Sequence, residues 1–388
     1  MRALTNQKAF TLVEAIVMLM VIAIVVAVAV PLAFRLFQQT AQDSTRTAMQ
    51  NLKQAMIGNP LILKEGVRSD FGFLGDIGCL PTTALGGLDR LLNNTGGNYP
   101  SWFFNSAKQA GAGWNGPYIT GSFAGEESQD FTKDQWGNPY TYIPVAGTCP
   151  RTATLTSNGP DGQLSTSDDI ILSIAASETT ATVTGIVKAA DGARFASIPV
   201  DINYPVNGTL STSTATTDTN GVYTFISIPF GRRSVQARPT LGYASGSGIT
   251  ETGSGDQDLQ FTIVNFTTSP VTITNLVATY ASLNNCYQEV RFNGTSVVNT
   301  RTCSGDTATF NPSNCCTVAA SSTTPPPQVV IIDVPSAQIP DLIISPQGTS
   351  ALIELISFDN PVVVIPPILF TITLSNGSVI KFTPVTGG

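Results

Sequence analysis

Three carboxylates crowd one glycine-rich stretch, Ser157-Asn158-Gly159-Pro160-Asp161-Gly162-Gln163-Leu164-Ser165-Thr166-Ser167-Asp168-Asp169-Ile170. Like charges this close repel unless a cation or an array of donors holds them. Calcium takes about six to eight hard oxygens in flexible geometry, and a loop supplies them as carboxylates, hydroxyls and carbonyls. The ligand rhythm of an EF-hand and its final Glu are absent. A solvated Asp/Gly turn leading into the apolar strand Ile170-Ile171-Leu172 is the alternative reading of the same residues.

Other chemistry is narrowed by composition. The chain has no histidine, which removes Ser-His-Asp and Cys-His nucleophile pairs, His bases and His metal ligands together. No enzyme is expected. A net charge of -7 leaves no basic stripe to neutralise phosphates, so nucleic acid is not an expected partner. The six cysteines are Cys79, Cys149, Cys286, Cys303, Cys315 and Cys316. None forms a CxxC pair, so zinc and thioredoxin-like chemistry are not expected. An even count in an exported chain favours disulfides.

A fourth carboxylate, Glu14, is notable for its surroundings. A polar leader with Arg2 and Lys8 precedes it, and the uncharged apolar run Ala15 to Phe34 follows. Twenty apolar positions span about 30 Å as a helix, enough for a bilayer core. The run is longer than a signal-peptide core, and no A-x-A site follows it. A plain membrane anchor would not account for Glu14, because a charge costs roughly 2.5–3.5 kcal/mol at a helix centre. Beyond Arg35, Leu36, Phe37, Ala41, Thr45, Ala48, Met49, Leu52, Ala55 and Met56 keep the spacing of a helix lying on a core. Gly58-Asn59-Pro60 ends it.

This layout, with Lys8-Ala9-Phe10-Thr11-Leu12-Val13-Glu14 at its head, resembles the N-terminus of type IV pilins and type II secretion pseudopilins. The resemblance implies cleavage by a prepilin peptidase between Ala9 and Phe10, and N-methylation of Phe10. It implies that Glu14 neutralises the Phe10 amine of a neighbouring subunit during assembly. The family usually has Gly where this chain has Ala9. The resemblance continues in Gly75-Asp76-Ile77-Gly78-Cys79-Leu80-Pro81, in Trp114-Asn115-Gly116-Pro117-Tyr118-Ile119, and in Asp134-Gln135-Trp136-Gly137-Asn138-Pro139-Tyr140-Thr141-Tyr142. The last is similar to the D-x-W-G-x-P-Y segment of major pseudopilins. The acidic stretch is similar to their calcium loop. By that match Asp161, Asp168 and Asp169 are side-chain ligands of calcium, and the backbone carbonyls of Asn158 and Thr166 complete the shell. Within this head Cys79 and Cys149 are expected to pair.

The pseudopilin resemblance ends near residue 177. Thr182-Val183-Thr184-Gly185-Ile186-Val187 and Thr217-Asp218-Thr219-Asn220-Gly221-Val222-Tyr223-Thr224-Phe225 are similar to carboxypeptidase regulatory-like β-sandwich modules, which act as spacers or binding surfaces. Asn220-Gly221 supplies a hairpin turn. Glycine- and serine-rich residues 245–255 mark a boundary. Strands resume beyond it with the spacing of an immunoglobulin-like sandwich. Cys315 and Cys316, being adjacent, are each expected to join Cys286 or Cys303, in an order left open.

The expected fold is α+β: a long N-terminal hydrophobic α-helix packed on an antiparallel-sheet pilin head, followed by two all-β sandwich domains. The expected divisions are 1–9 leader, 10–57 helix, 58–177 head with calcium loop, 178–248 regulatory-like module and 258–388 C-terminal domain. The expected function is a structural subunit of a type IV pilus-like or type II secretion pseudopilus filament. The alternative is a minor pilin or tip adhesin that binds a surface or glycan through its C-terminal domain. Expected partners are further copies in a helical filament, prepilin peptidase, the inner-membrane assembly platform, and the inner membrane before assembly. The mature filament would be periplasmic or at the cell surface.

Overall fold

The computed structural model describes residues 12–119, 131–189, 192–244, 247–252, 257–281, 285–311, 315–321, 329–335, 340–344, 349–356, 358–359 and 368–383. The leader, the cleavage site Ala9-Phe10 and several further stretches lie outside them. The chain forms two compact units. One holds Met1–Met56, Pro81–Asn93 and Gly116–Ala175; the other holds Ile57–Leu80, Asn94–Asn115 and Ala176–Gly388.

Helix α1 (Leu12–Ile57) runs unbroken through Pro31. Every residue from Leu12 to Phe37 is exposed. The later part carries an apolar stripe, and Thr45, Met49, Leu52 and Met56 are buried along it. The next elements are a short hairpin, β1 (Leu63–Lys64) and β2 (Val67–Arg68), a short helix α2 (Gly72–Ile77), and a second hairpin, β3 (Phe103–Asn105) and β4 (Ala110–Ala112). A three-stranded antiparallel sheet follows, made of β5 (Thr141–Pro144), β6 (Ala153–Ser157) and β7 (Ile170–Ile174) in that order. Leu155 and Ile174 are buried in the first unit's core. Within that unit Lys53 Nζ donates to the Ser173 carbonyl at 3.1 Å, so β7 is tied to α1.

In the second unit come β8 (Thr180–Ala189), β9 (Pro199–Val206), β10 (Thr209–Thr216), β11 (Val222–Pro229) and β12 (Gly231–Ala237). Next are β13 (Leu241–Tyr243), β14 (Ile249–Thr252), β15 (Gln257–Asn265), β16 (Val271–Thr279), β17 (Glu289–Phe292), β18 (Thr295–Val298), β19 (Thr307–Thr309) and β20 (Thr317–Val318). The last are β21 (Val329–Val334), β22 (Leu342–Ile344), β23 (Thr349–Ile356), β24 (Leu369–Leu374) and β25 (Val379–Phe382).

Strand pairing departs from sequence order. One sheet reads β10-β9-β12-β21 and another β11-β8-β22. Strands β21 and β22, read from sequence as part of the C-terminal domain, thus join the sheets built from β8 to β12. The pairing of β22 with β8 is parallel, and a Lys188–Asp341 ion pair at 2.6 Å sits beside it. The remaining strands form β13-β15-β23-β17-β18, with β14 on β15, and β19-β16-β24-β25, with β20 on β16. Ring contacts link these two sheets: the centroids of Phe261 on β15 and Phe370 on β24 lie 4.5 Å apart. Phe382 and Tyr243 stack beside them.

Residues 57–80 and 94–115, read from sequence as part of the head, pack in the second unit. Hairpin β3–β4 lies on the polar side chains of β9, β10 and β12. Lys108 Nζ donates to Thr212 Oγ1 at 2.7 Å, and Ser234 Oγ donates to the Lys108 carbonyl. Helix α2 stops at Gly78, whose φ is 79°. A Cβ there would lie 1.8 Å from the Pro205 carbonyl oxygen, so both conformation and space demand glycine. The guanidinium of Arg233, 1% exposed, donates to the carbonyls of Gly75, Pro229 and Phe230 and so fixes α2 to β12.

The disulfide expectation for the last four cysteines is corrected. Cys286 bonds Cys303 and Cys315 bonds its neighbour Cys316. Residues Tyr287 and Thr302 pair as a β-bridge, which brings Cys286 to Cys303 and leaves the adjacent pair to each other. Closing the separation of 17 residues stabilises the fold by about 3 kcal/mol in the chain-entropy account. Cys79 and Cys149 are both disulfide-bonded.

Candidate functional site

Two features of the first unit hold the candidate residues: the acidic loop between β6 and β7, and the exposed half of α1.

The loop is braced from below by the Asp134–Tyr142 segment. Asp134 is buried. Its Oδ1 accepts N–H bonds from Trp136 at 3.0 Å and Asn138 at 2.9 Å, which closes the Asp-Gln-Trp-Gly-Asn turn. Its Oδ2 accepts the Ser157 hydroxyl at 2.6 Å. Asn138 Nδ2 reaches the Gly159 carbonyl at 2.7 Å. Burial, then the charge of Asp134, pushes the Tyr140 hydroxyl well above the usual tyrosine range. Of the segment's aromatic residues Tyr140, 8% exposed, is packed in the core, and Trp136 and Tyr142 are half-buried. Sequence reasoning did not find the Asp134–Ser157 pair. The only available signal was an Asp placed four residues before an Asn in a turn-forming run.

Within the loop, Gly159 has φ 63°, and a Cβ there would lie 2.6 Å from Asp168 Oδ2. Backbone donors hold the carboxylates: Gln163 N–H bonds Asp161 Oδ1 at 2.8 Å, and Ser165 N–H bonds Asp169 Oδ2 at 2.7 Å. Thr166 gathers all three. Its Oγ1 lies 2.8 Å from Asp168 Oδ1, 3.3 Å from Asp169 Oδ1 and 3.5 Å from Asp161 Oδ1. The Gln163 carbonyl is a fourth oxygen, at 3.1 Å. A hydroxyl has one proton to donate, so these oxygens outnumber the donor at their centre. The Thr166 bond, opposed by slight desolvation and aided by backbone donors, holds the Asp168 carboxyl below its ordinary value.

One more oxygen bears on the loop. Asn158 Oδ1 is buried without a hydrogen-bond partner. The sequence pointed to the Asn158 carbonyl, whereas the structure draws attention to its side chain. Among the described residues, no three His, Cys, Asp or Glu side chains form a ready-made metal group. The loop's donor set is nonetheless all hard oxygen, oversupplied around one hydroxyl, with an orphaned acceptor close in sequence. That chemistry fits a hard divalent cation.

Glu14 begins the other feature. It is the single carboxylate on α1 before Asp43. The stretch Leu12–Phe37 is about 39 Å long at the helical rise. Its most apolar window has a mean hydropathy of 3.1 and none of it is buried. A helix apolar on all sides belongs in a membrane or among other helices, and by length and composition this one is able to cross a bilayer.

No protein-family model matches the chain, and no curated protein matches it. Among solved structures, a putative carbohydrate-binding protein from Bacteroides uniformis is 12% identical, with TM-score 0.23, over 53% of this chain and 97% of that one. The major pilin SpaD of Corynebacterium diphtheriae is 10% identical, with TM-score 0.19, over 52% and 64%. The major pilin BcpA of Bacillus cereus is 10% identical, with TM-score 0.18, over 53% and 70%. By its own elements the chain is a β-rich protein with one long apolar N-terminal helix.

Proposed function

We propose that the protein is a structural subunit of a type IV pilus-like or type II secretion pseudopilus filament. The exposed half of α1 would form the filament core, and the β modules, each a two-layer sandwich, would be displayed outward. The observation that carries this reading is the continuous exposed apolar surface from Leu12 to Phe37 on a helix whose remainder is packed. An apolar surface of this size on a folded protein marks a membrane or protein contact. Prepilin peptidase would cut between Ala9 and Phe10 while the precursor sits in the inner membrane. The assembly platform would then draw subunits together as Glu14 meets the Phe10 amine of the next subunit. Two charges that are each expensive in hydrocarbon become tolerable as a pair.

The test is Glu14→Ala in the full chain, with precursor followed in membranes and filaments recovered by shearing. Membrane insertion should be unchanged and sheared filaments reduced at least about tenfold, since one lost pairing of roughly 1.4 kcal/mol per contact already gives that factor. Normal filaments from the variant would sink the assembly role.

Calcium is the cofactor we propose for the loop, with Asp161, Asp168 and Asp169 as ligands and the Asn158 and Thr166 carbonyls beside them. It would neutralise a cluster that one hydroxyl and a few backbone N–H groups now hold, and stiffen the β6–β7 connection. Millimolar calcium should raise the melting temperature by several degrees, since a ligand at about 100 times its Kd adds about 2.7 kcal/mol. Asp168→Ala should remove the rise. An identical melting curve with and without calcium would dispose of the site.

The adhesin reading retains one observation in its favour. Trp102 and Phe104 stack with centroids 6.4 Å apart, and they and Phe103 are exposed. That surface lies on β3 and the residue before it rather than in the C-terminal domain.

A further inference from the structure

Cys315 and Cys316 are consecutive and joined to each other. A crosslink restricts the unfolded chain with the logarithm of the loop it closes. The ring closed here is the smallest a chain can make, so its closure restricts the unfolded chain least. Cys286–Cys303, at a separation of 17, is aided by the fold and returns that aid as stability. Global stability is therefore mainly the work of Cys286–Cys303, and the adjacent pair acts locally.

The adjacent pair shapes one turn. Cys316 has φ 73°, a region that a residue with a side chain seldom enters unaided. Its carbonyl accepts the Ile273 N–H at 2.9 Å, and Cys315 N–H bonds the Asn311 carbonyl at 3.2 Å. β20 begins at the next residue, and Thr317 and Val318 pair with Thr272 and Val271 of β16. Cys316 is 2% exposed, whereas Cys315 is half-buried. Cys315 is thus the more accessible residue of the pair, and the attack is assigned to its sulfur.

We infer that Cys315–Cys316 is a thiol-exchange site, a latch on β20 that a low-molecular-weight thiol opens while the rest of the second unit stays folded. A thiolate attacks Cys315 Sγ and forms a mixed disulfide there. The Cys315–Cys316 bond breaks, and its electron pair leaves on Cys316 Sγ, which takes a proton from water. A second thiolate attacks the sulfur of the bound thiol. The small-molecule disulfide departs, Cys315 is left as a thiol, and two electrons have passed from the thiols to the protein. With the ring open, nothing covalent keeps Cys316 at positive φ. The Ile273 N–H loses its acceptor, and the β16 edge from Val271 to Ile273 is bared.

The experiment titrates the full chain in detergent with glutathione at mildly alkaline pH. Samples are quenched by alkylation and mapped by peptide mass, and backbone hydrogen exchange is followed in parallel. Because the longer bridge gains more from the fold than the adjacent pair does, Cys315 and Cys316 should open at roughly tenfold or more lower glutathione than Cys286 and Cys303. The adduct should sit on Cys315, and exchange at Ile273 and Val318 should quicken at least about tenfold while β15 and β23 stay protected. The inference is overturned if both bridges open together as the protein unfolds. It is equally overturned if Ile273 stays protected after Cys315–Cys316 has opened, or if the map joins either residue to Cys286 or Cys303. None of these outcomes depends on the filament reading.

Discussion

From Leu12 to Phe37, α1 is exposed on every side; from Thr45 to Met56 it buries one stripe in the first unit. Backbone geometry does not separate the two halves, for the helix is continuous through Pro31. The pattern of side chains separates them. The first half has no polar face, so no single packed face could satisfy it. The second half alternates, with Thr45, Met49, Leu52 and Met56 turned inward and Arg46, Thr47 and Gln50 outward. One helix thus carries two solubility rules, and the change from one to the other falls just past Arg35.

The largest expected effect comes from exchanging a methyl-rich side chain for alanine in each half. Leu52 is 2% exposed, so Leu52→Ala should cost about 2–5 kcal/mol of stability. Leu19 is 66% exposed, so Leu19→Ala should leave the unfolding midpoint of the detergent-solubilised chain within about 0.5 kcal/mol of its starting value. Its effect should fall on membrane retention or filament yield instead. Denaturant midpoints followed by tryptophan fluorescence would check both. Equal destabilisation by the two variants would end the distinction between the halves.

How far these features were legible in the sequence depended on the distance over which each is built. The two halves of α1 could be read because helical periodicity is local. Asp161, Asp168 and Asp169 could be placed in one loop because they are close in sequence, and each lies within 3.5 Å of Thr166 Oγ1. Asp134 was not found as the loop's brace. Its partner Ser157 is 23 positions away, and only the fold brings them together. Return of β21 and β22 to the sheets of β12 and β8 was likewise hidden. Val329–Val334 announces a strand by composition, but alternation says nothing about which strand it will pair with. The Cys315–Cys316 bond was misjudged because adjacency was weighed alone, without the Tyr287–Thr302 bridge that takes Cys286 and Cys303 out of reach.

A finer test of the packed half lies at Thr45, which is fully buried. Its Oγ1 accepts the Gln135 N–H at 3.2 Å, and Gln135 follows the Asp134 that braces the acidic loop. Thr45→Val keeps the shape and removes the acceptor, leaving a backbone donor unsatisfied; the expected cost is about 1–3 kcal/mol. Thr45→Ser keeps the acceptor and should recover most of that loss. Because the lost bond lies one residue from Asp134, and Asp134 holds Ser157, the Val variant should also blunt the rise in melting temperature with calcium, whereas Leu19→Ala should not. Chemical denaturation and calcium-dependent melting of the three variants would separate these outcomes. If Thr45→Val matched the parent in both measurements, the packed half of α1 would contribute burial alone and no hydrogen-bonded route to the loop.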